Sequence, residues 1–283
     1  MPHVAVVTCR ELPVPSPDDE LLLAALTDGG ATTAYVAWDD PAFDWSEPDV
    51  CVIRSTWDYT AHHDAFVAWA DSVPTLWNRP EVVAWNSHKR YLLDLADAGV
   101  DVVPTRLVPK GTDLDLATDL AHLVELIVKP AVSVGSCDTY RVGPDRPLSD
   151  EIVADLVAHH DLLVQPFVRS ITDPGETAVV VIDGQVAHSF VKRPADGDFR
   201  VQLQYGAHNT HVDPTDAQLH VARTALAAAE EATGAELLYA RVDMVDVDGR
   251  PHLMELELIE PDLWLREAPG SLGRLTAAIL DRV

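Results

Sequence analysis

Short apolar runs alternating with helical periodicities over the first hundred residues constrain this chain more than any other feature. Residues 4–8 form an apolar run of strand length, and 18–28 carry Leu21, Leu22 and Ala25 at helical spacing. Runs 31–37 and 50–53 repeat the strand pattern, while 61–71 and 87–98 repeat the helical one, the last stopped by Gly99. Strands separated by helices lack the short turns that make hairpins, so they lie parallel with helices over their faces. The expected class is α/β, with an N-terminal doubly wound parallel sheet. Such sheets take ligands beyond the carboxyl ends of their strands. That places Thr8, Cys9 and Arg10, and the run from Arg54 to Tyr59, on a substrate rim.

From about residue 102 the texture changes. Short strands are expected at 105–108, 126–129 and 162–167, around helices near 113–123 and 149–159. Beyond Gln165 the pattern is strand-rich: 177–182, a turn at Asp183-Gly184, then 185–192. A long helix over 216–233 precedes a hairpin spanning 237–259. The Pro- and Gly-bearing stretches 170–175 and 194–198 read as mobile loops. A chain of 283 residues exceeds what one core needs, so two or three packed lobes are expected.

The charge balance narrows the choice of partner. With 46 Asp and Glu against 20 Lys and Arg, the net charge of −26 repels nucleic acid and anionic membrane. A polyanionic substrate would need local cations or metal ions, so each basic residue on an apolar strand or beside glycine is informative. Cys9, Cys51 and Cys137 are scattered without a CxxC pair, which suits reduced thiols in a cytoplasmic protein. The apolar start at 4–8 is too short for a signal peptide, and no run approaches the ~18 apolar residues of a membrane span.

The hairpin carries the densest chemistry. Glu255 and Glu257 are two apart and share a strand face. A two-residue Asp-Gly turn would put Asp243 on the opposite face, and a three-residue loop over 247–249 with Gly249 left-handed would put it on the same one. The second is the expectation. Three carboxylates on one face repel unless a cation lies between them, and an oxygen-only set suits Mg2+; the other reading is a solvated acidic face. Lys129 ends an apolar strand and precedes a loop of small residues, Ser133 to Ser136, whose N–H groups can cradle phosphate; a snorkelling lysine is the alternative. The strand around Gln165 is interrupted by Pro166, which frees backbone groups that can read an adenine edge, or simply marks an edge strand.

The order and spacing of these pieces, from Asn86 to Leu265, resemble the ATP-grasp superfamily in its glutathione-synthetase-like branch. The resemblance implies an N-terminal substrate domain (1–101), a central lid domain (102–168) and a C-terminal catalytic domain (169–283), the last two built on antiparallel sheets. It implies that Lys89 and Lys129 hold nucleotide phosphates, that Ser133, Gly135 and Ser136 form the flap over them, and that Gln165, Phe167 and Val168 form the adenine hinge. Glu176 touches the ribose or the substrate side, and Arg200 stabilises the transferred phosphoryl. Asp243, Glu255 and Glu257 are the implied metal ligands. Glu257 stands where many members have Asn, and Gly206-Ala207 where Gly-Gly is usual.

The implied reaction converts a small-molecule carboxylate to an acyl phosphate with ATP and two Mg2+ ions, for which Mn2+ can substitute, before a nitrogen nucleophile displaces phosphate. Arg241 and Arg193 are the candidates to stabilise the tetrahedral oxyanion. Arg54, Asp58 and Tyr59 are the candidates to orient substrate, with Arg54 equally readable as a structural ion pair. A narrower resemblance, carried by residues 54–59, Trp85-Asn86, 239–243 and 255–261, is to the cyclo-ligases of cycloserine biosynthesis, which close a ring on O-ureido-serine. Intermolecular amino-acid or peptide ligation, a small-molecule kinase and a non-catalytic nucleotide-binding protein are the other readings. The oligomeric state is left open. The histidines at 62, 63, 159, 160, 208 and 211 read as solvated.

Overall fold

A computed structural model of the chain describes residues 1–112, 114–120 and 122–283. The first part comprises β1 (His3–Thr8), α1 (Pro17–Asp28), β2 (Thr32–Ala37), β3 (Val50–Ser55), α2 (His63–Ser72), β4 (Leu76–Trp77), α3 (Pro80–Asn86) and α4 (Tyr91–Asp97). Its strands make a parallel sheet in the order β2-β1-β3-β4. Ser16 caps α1 by accepting from the Asp19 N–H, with Pro17 in the first turn where it gives up no helical bond.

The middle comprises β5 (Arg106–Val108), α5 (Leu116–Leu120), β6 (Leu126–Pro130), β7 (Tyr140–Val142), α6 (Asp150–His159) and β8 (Leu162–Pro166), with an antiparallel sheet ordered β5-β8-β6-β7. The last part comprises β9 (Glu176–Ile182), β10 (Gln185–Arg193), β11 (His208–His211), α7 (Asp216–Thr233), β12 (Tyr239–Val247), β13 (Arg250–Glu257) and α8 (Pro269–Leu280). Its antiparallel sheet runs β11-β10-β9-β12-β13. A capping box between Thr215 and Gln218 starts α7, and Gly234, at φ 67°, ends it.

This last sheet is covered on both faces, which is why β9 reads Ala-Val-Val-Val-Ile without polar alternation. Val179 and Val181 pack with Ala222, Ala225 and Ala229 of α7. Ala178, Val180 and Ile182 share a core with Leu275 and Ile279 of α8, with Leu22 of α1, and with Val4 and Val6 of the parallel sheet. The parallel and the five-stranded sheets are thereby fused through one apolar layer.

Several expected elements are corrected. The helix at 61–71 is a 3-10 turn (Tyr59–His62) followed by α2. The helix expected at 87–98 is shorter, α4 from Tyr91, and is preceded by an unexpected helix, α3 at Pro80–Asn86, with 87–90 as a break in which the Lys89 N–H donates to Ala131 O at 2.7 Å. That long-range bond competes with helix continuation and wins. The helix near 113–123 is confined to Leu116–Leu120, and its positions 113 and 121 lie outside the described residues. β4, β7, β11 and α8 were not anticipated.

The hairpin turn is also corrected. Val247 pairs with Arg250, so Asp248 and Gly249, at φ 52° and 81°, form a two-residue turn rather than a three-residue loop. The register then shifts between Asp243 and Met244, whose partners are Glu255 and Leu253. Met254 is thus an extra residue, a β-bulge, and it returns Asp243, Glu255 and Glu257 to one face. Among the described residues no helix is long and apolar enough to cross a membrane.

Candidate active site

A cavity of about 450 Å³ opens where the three sheets meet. Strand β13 lines it with Glu255 and Glu257, β12 with Arg241 and Asp243, β10 with Lys192, and β6 with Lys129. Lys89 enters from the break between α3 and α4, and Tyr59 from the loop after β3. Ser133, Gly135, Ser136, Gln165, Phe167, Val168, Glu176 and Arg200 complete the set of sequence-chosen residues that line it.

Within the cavity wall, most acids face a base. Lys129 Nζ lies 2.6 Å from Glu255 Oε1, with Lys89 Nζ at 3.9 Å from the same oxygen and donating to Ser133 O at 2.8 Å. Burial alone would raise Glu255, yet Lys129 and Lys89 outweigh it and hold the acid down to about 2. Lys192 pairs with Glu176 and, at 2.9 Å, with Asp243. Arg241 binds Asp243 at 2.9 Å and also Glu257. Burial opposes the charge on Asp243, but Arg241 and Lys192 prevail and lower it. Burial pushes Glu257 up against the pull of Arg241.

The small-residue loop meets the segment around the 3-10 turn Leu203–Tyr205 across the opening. Ser136 Oγ donates to Gln202 Oε1 at 2.9 Å, and Gln204 Nε2 to Gly135 O at 3.4 Å. Gly135, Ser136 and Asp138 all have positive φ, which turns the small-residue loop back on itself. Arg200 is held by Asp198 at 2.8 Å and lies over the Tyr205 ring at 3.6 Å. Gln165 donates to Thr105 Oγ1, and β8 ends where the Phe167 N–H turns to Glu125 O.

Three sequence-chosen residues do not line the cavity. Arg193 follows Lys192 on β10, so strand alternation sends it to the other face. Arg54 is 3% exposed, its Nη1 donating to Pro261 O at 3.2 Å and its Nε 3.4 Å from Asp19 Oδ1, which makes it a tie between sheet and loop. Asp58 accepts from Trp38 Nε1 at 2.9 Å. Sequence reasoning gave no role to Lys192, Tyr91, Asn86, Glu260 and Asp262, which do line it, as does Trp57 of the expected rim. Lys192 had a signal: a lysine inside an apolar strand, two residues from Phe190 on the same face.

The carboxylate oxygens of Asp243, Glu255 and Glu257 share one wall, and their hard donor chemistry suits a divalent cation. As their side chains stand, each is turned to a protein cation, and among the described residues no group of three His, Cys, Asp or Glu converges on one point.

Two family models match the chain: the N-terminal domain of D-cycloserine synthetase DcsG over residues 4–78, and the ATP-grasp domain of prokaryotic glutathione synthetase over residues 97–261. The chain is 32% identical, over 279 residues, to the cycloserine biosynthesis protein DcsG of Streptomyces lavendulae, covering 93% of this chain and 92% of that one. It superposes on the crystal structure of D-cycloserine synthetase DcsG with a TM-score of 0.87 at 32% identity, covering 99% of both chains. A D-alanine–D-alanine ligase from Bacillus anthracis shares the fold at 14% identity, with a TM-score of 0.70 over 100% of this chain and 97% of that one.

Proposed function

The chain belongs to the ATP-grasp ligases of the glutathione-synthetase type, enzymes that form carbon–nitrogen bonds, and from that premise we propose that it activates a small carboxylic acid as an acyl phosphate and closes it on an internal nitrogen. The observation that carries the reading is the convergence of Lys89, Lys129, Lys192, Arg200 and Arg241 on one cavity in a chain of net charge −26. Such cations suit a nucleotide triphosphate, whose charge the rest of the surface repels. The ring-closing refinement rests on the DcsG likeness, since that protein is described as a D-cycloserine synthetase.

In this proposal Lys89 and Lys129 hold phosphate oxygens of ATP, and Gln165, Phe167 and Val168 receive the adenine. Ser133, Gly135 and Ser136 close over the phosphates against Gln202 and Gln204, and so keep water from a hydrolysable intermediate. Arg200 and Arg241 face charge that develops on the phosphoryl and acyl oxygens, with Lys192 in the place first given to Arg193. Tyr59 stands on the substrate side, while Arg54 and Asp58 support the rim from behind. Asp243, Glu255 and Glu257 would hold Mg2+, which when bound neutralises phosphate charge. The division at 101/102 and 168/169 belongs to the proposal too, supported by one sheet falling within each part.

The test is incubation with Mg-ATP, an amino-acid pool containing O-ureido-serine, and hydroxylamine, followed by assay of ADP, phosphate and hydroxamate. Metal-dependent ADP with hydroxamate is expected, and, when O-ureido-serine is supplied without the trap, cycloserine together with the carbon dioxide and ammonia left by hydrolysis of the carbamoyl group on its ring nitrogen. A phosphorylated acid or alcohol accumulating as final product would mean a kinase. ATP binding without ADP from any acid would mean a nucleotide-binding protein.

A further inference from the structure

Six carboxylates line the cavity: Glu176, Asp243, Glu255, Glu257, Glu260 and Asp262. Five have a protein cation within ion-pair distance, Asp262 through Arg266. Among the described residues, Glu260 has none, and its carboxylate is met only by its own backbone N–H. It is nonetheless only 8% exposed. An unpaired carboxylate in such a place is costly unless a ligand supplies the missing charge.

The backbone that carries Glu260 is pinned on every side. Asn86 Oδ1 accepts from the Leu258 N–H at 2.9 Å, and the Tyr239 hydroxyl lies 2.7 Å from Ile259 O. Trp57 Nε1 donates to Glu260 O at 3.2 Å, Arg54 Nη1 to Pro261 O at 3.2 Å, and Arg241 Nη1 to Asp262 O at 3.1 Å. Five side chains, four of them charged or aromatic, thus hold this segment. A side chain so mounted is preorganised for recognition. Its neighbours Trp57 and Tyr59 come from the loop that follows β3 of the N-terminal sheet, whereas the residues assigned to the adenine come from β8 and the loop after it. Burial, with Glu257 adding to it, pushes Glu260 up to about 8 against Lys89, its own backbone N–H and Arg241, so near neutral pH the acid stays largely protonated until a cation pairs with it.

We propose that Glu260 is the specificity-determining residue for the acid: it receives a cationic nitrogen of the substrate, so that the enzyme accepts acids bearing an ammonium and rejects their des-amino counterparts. The inference rests on the ligase reading above. A cation seated on Glu260 supplies the counter-charge the cavity lacks, and an analogue without it leaves the acid buried and unpaired.

Mg-ATP-dependent ADP release is measured with hydroxylamine present, once with the amino-acid pool containing O-ureido-serine and once with the matching des-amino acids, including 3-(ureidooxy)propanoate. The wild type should favour the amino acids by roughly ten- to a hundredfold, the worth of one charge-assisted hydrogen bond or ion pair. Glu260→Gln should bring that ratio towards one with the KM for ATP unchanged, and Glu260→Asp should keep the preference at a higher KM for the acid. Equal rates of the wild type with both pools would overturn the inference without recourse to any variant. A preference retained by Glu260→Gln, or an equal rise in both KM values, would remove Glu260 from the role while leaving the ligase intact. No ADP from any acid would overturn the ligase reading, and this inference with it.

Discussion

An ammonium group costs several kcal/mol to bury without a partner, and Lys192 is 7% exposed, so Glu176 and Asp243 are as much a condition of its burial as it is of theirs. Burial opposes its charge, but Asp243 and Glu176 prevail and raise it. Lys192→Ala should destabilise the fold by about 3–5 kcal/mol in urea titrations, and adding Asp243→Asn should recover part of that loss. His188 offers a pH test away from the cavity. Its Nδ1 is 2.7 Å from Ser271 Oγ, and burial followed by His211 lowers it from 6.5 to about 4 against a weaker pull from the Leu263 backbone. A histidine depressed in the fold binds fewer protons there than in the unfolded chain, so its contribution is full above pH 6.5 and is lost as pH falls towards 4. The loss should be on the order of 2 kcal/mol, less than the whole shift because the ring is partly solvated. His188→Gln should flatten stability against pH in that window, and an unchanged slope would assign it to other groups.

Two glycines separate the cost of backbone conformation from the cost of space. Gly249 has φ 81° and nothing within 4 Å of an added Cβ, so Gly249→Ala should cost about 1 kcal/mol and leave turnover alone. Gly175 has φ 115°, and a Cβ there would sit 2.5 Å from Lys192 O. Gly175→Ala must therefore push β9 from β10 beside Lys192, and should lower ATP turnover at least tenfold as well as the melting temperature. Comparing thermal melts and ADP release for the two variants checks both outcomes. The hairpin teaches the same lesson about elements. Its turn alone would put Asp243 opposite Met254, and only the bulge brings the three carboxylates together. A bulge leaves little trace in composition, because Met254 is as apolar as its neighbours.

On the scale of the molecule, the cavity exists because the parallel sheet is bonded to the five-stranded one. Asn78, wholly buried, donates to Tyr239 O at 2.9 Å and Leu258 O at 2.7 Å and accepts from the Leu238 N–H at 2.6 Å. Asn78→Ala strands three backbone groups away from water, and a loss of about 3–5 kcal/mol is expected by urea titration, with weaker ATP binding as the sheets separate. A loss below 1 kcal/mol would mean that water replaces the amide. Strand and helix types, the small-residue loop, the acidic hairpin and most cavity-lining bases were legible in the amino-acid order, because periodicity and turn chemistry act over a few residues. Which of Lys192 and Arg193 faces the cavity, why Arg54 stands behind the rim and why Glu260 stands without a counter-charge were decided by tertiary structure. Those facts depend on partners such as Lys129 and Glu255, 126 residues apart, or Arg54 and Pro261, 207 apart. The free energy of a buried charge depends on what folding brings beside it, and local sequence does not encode that.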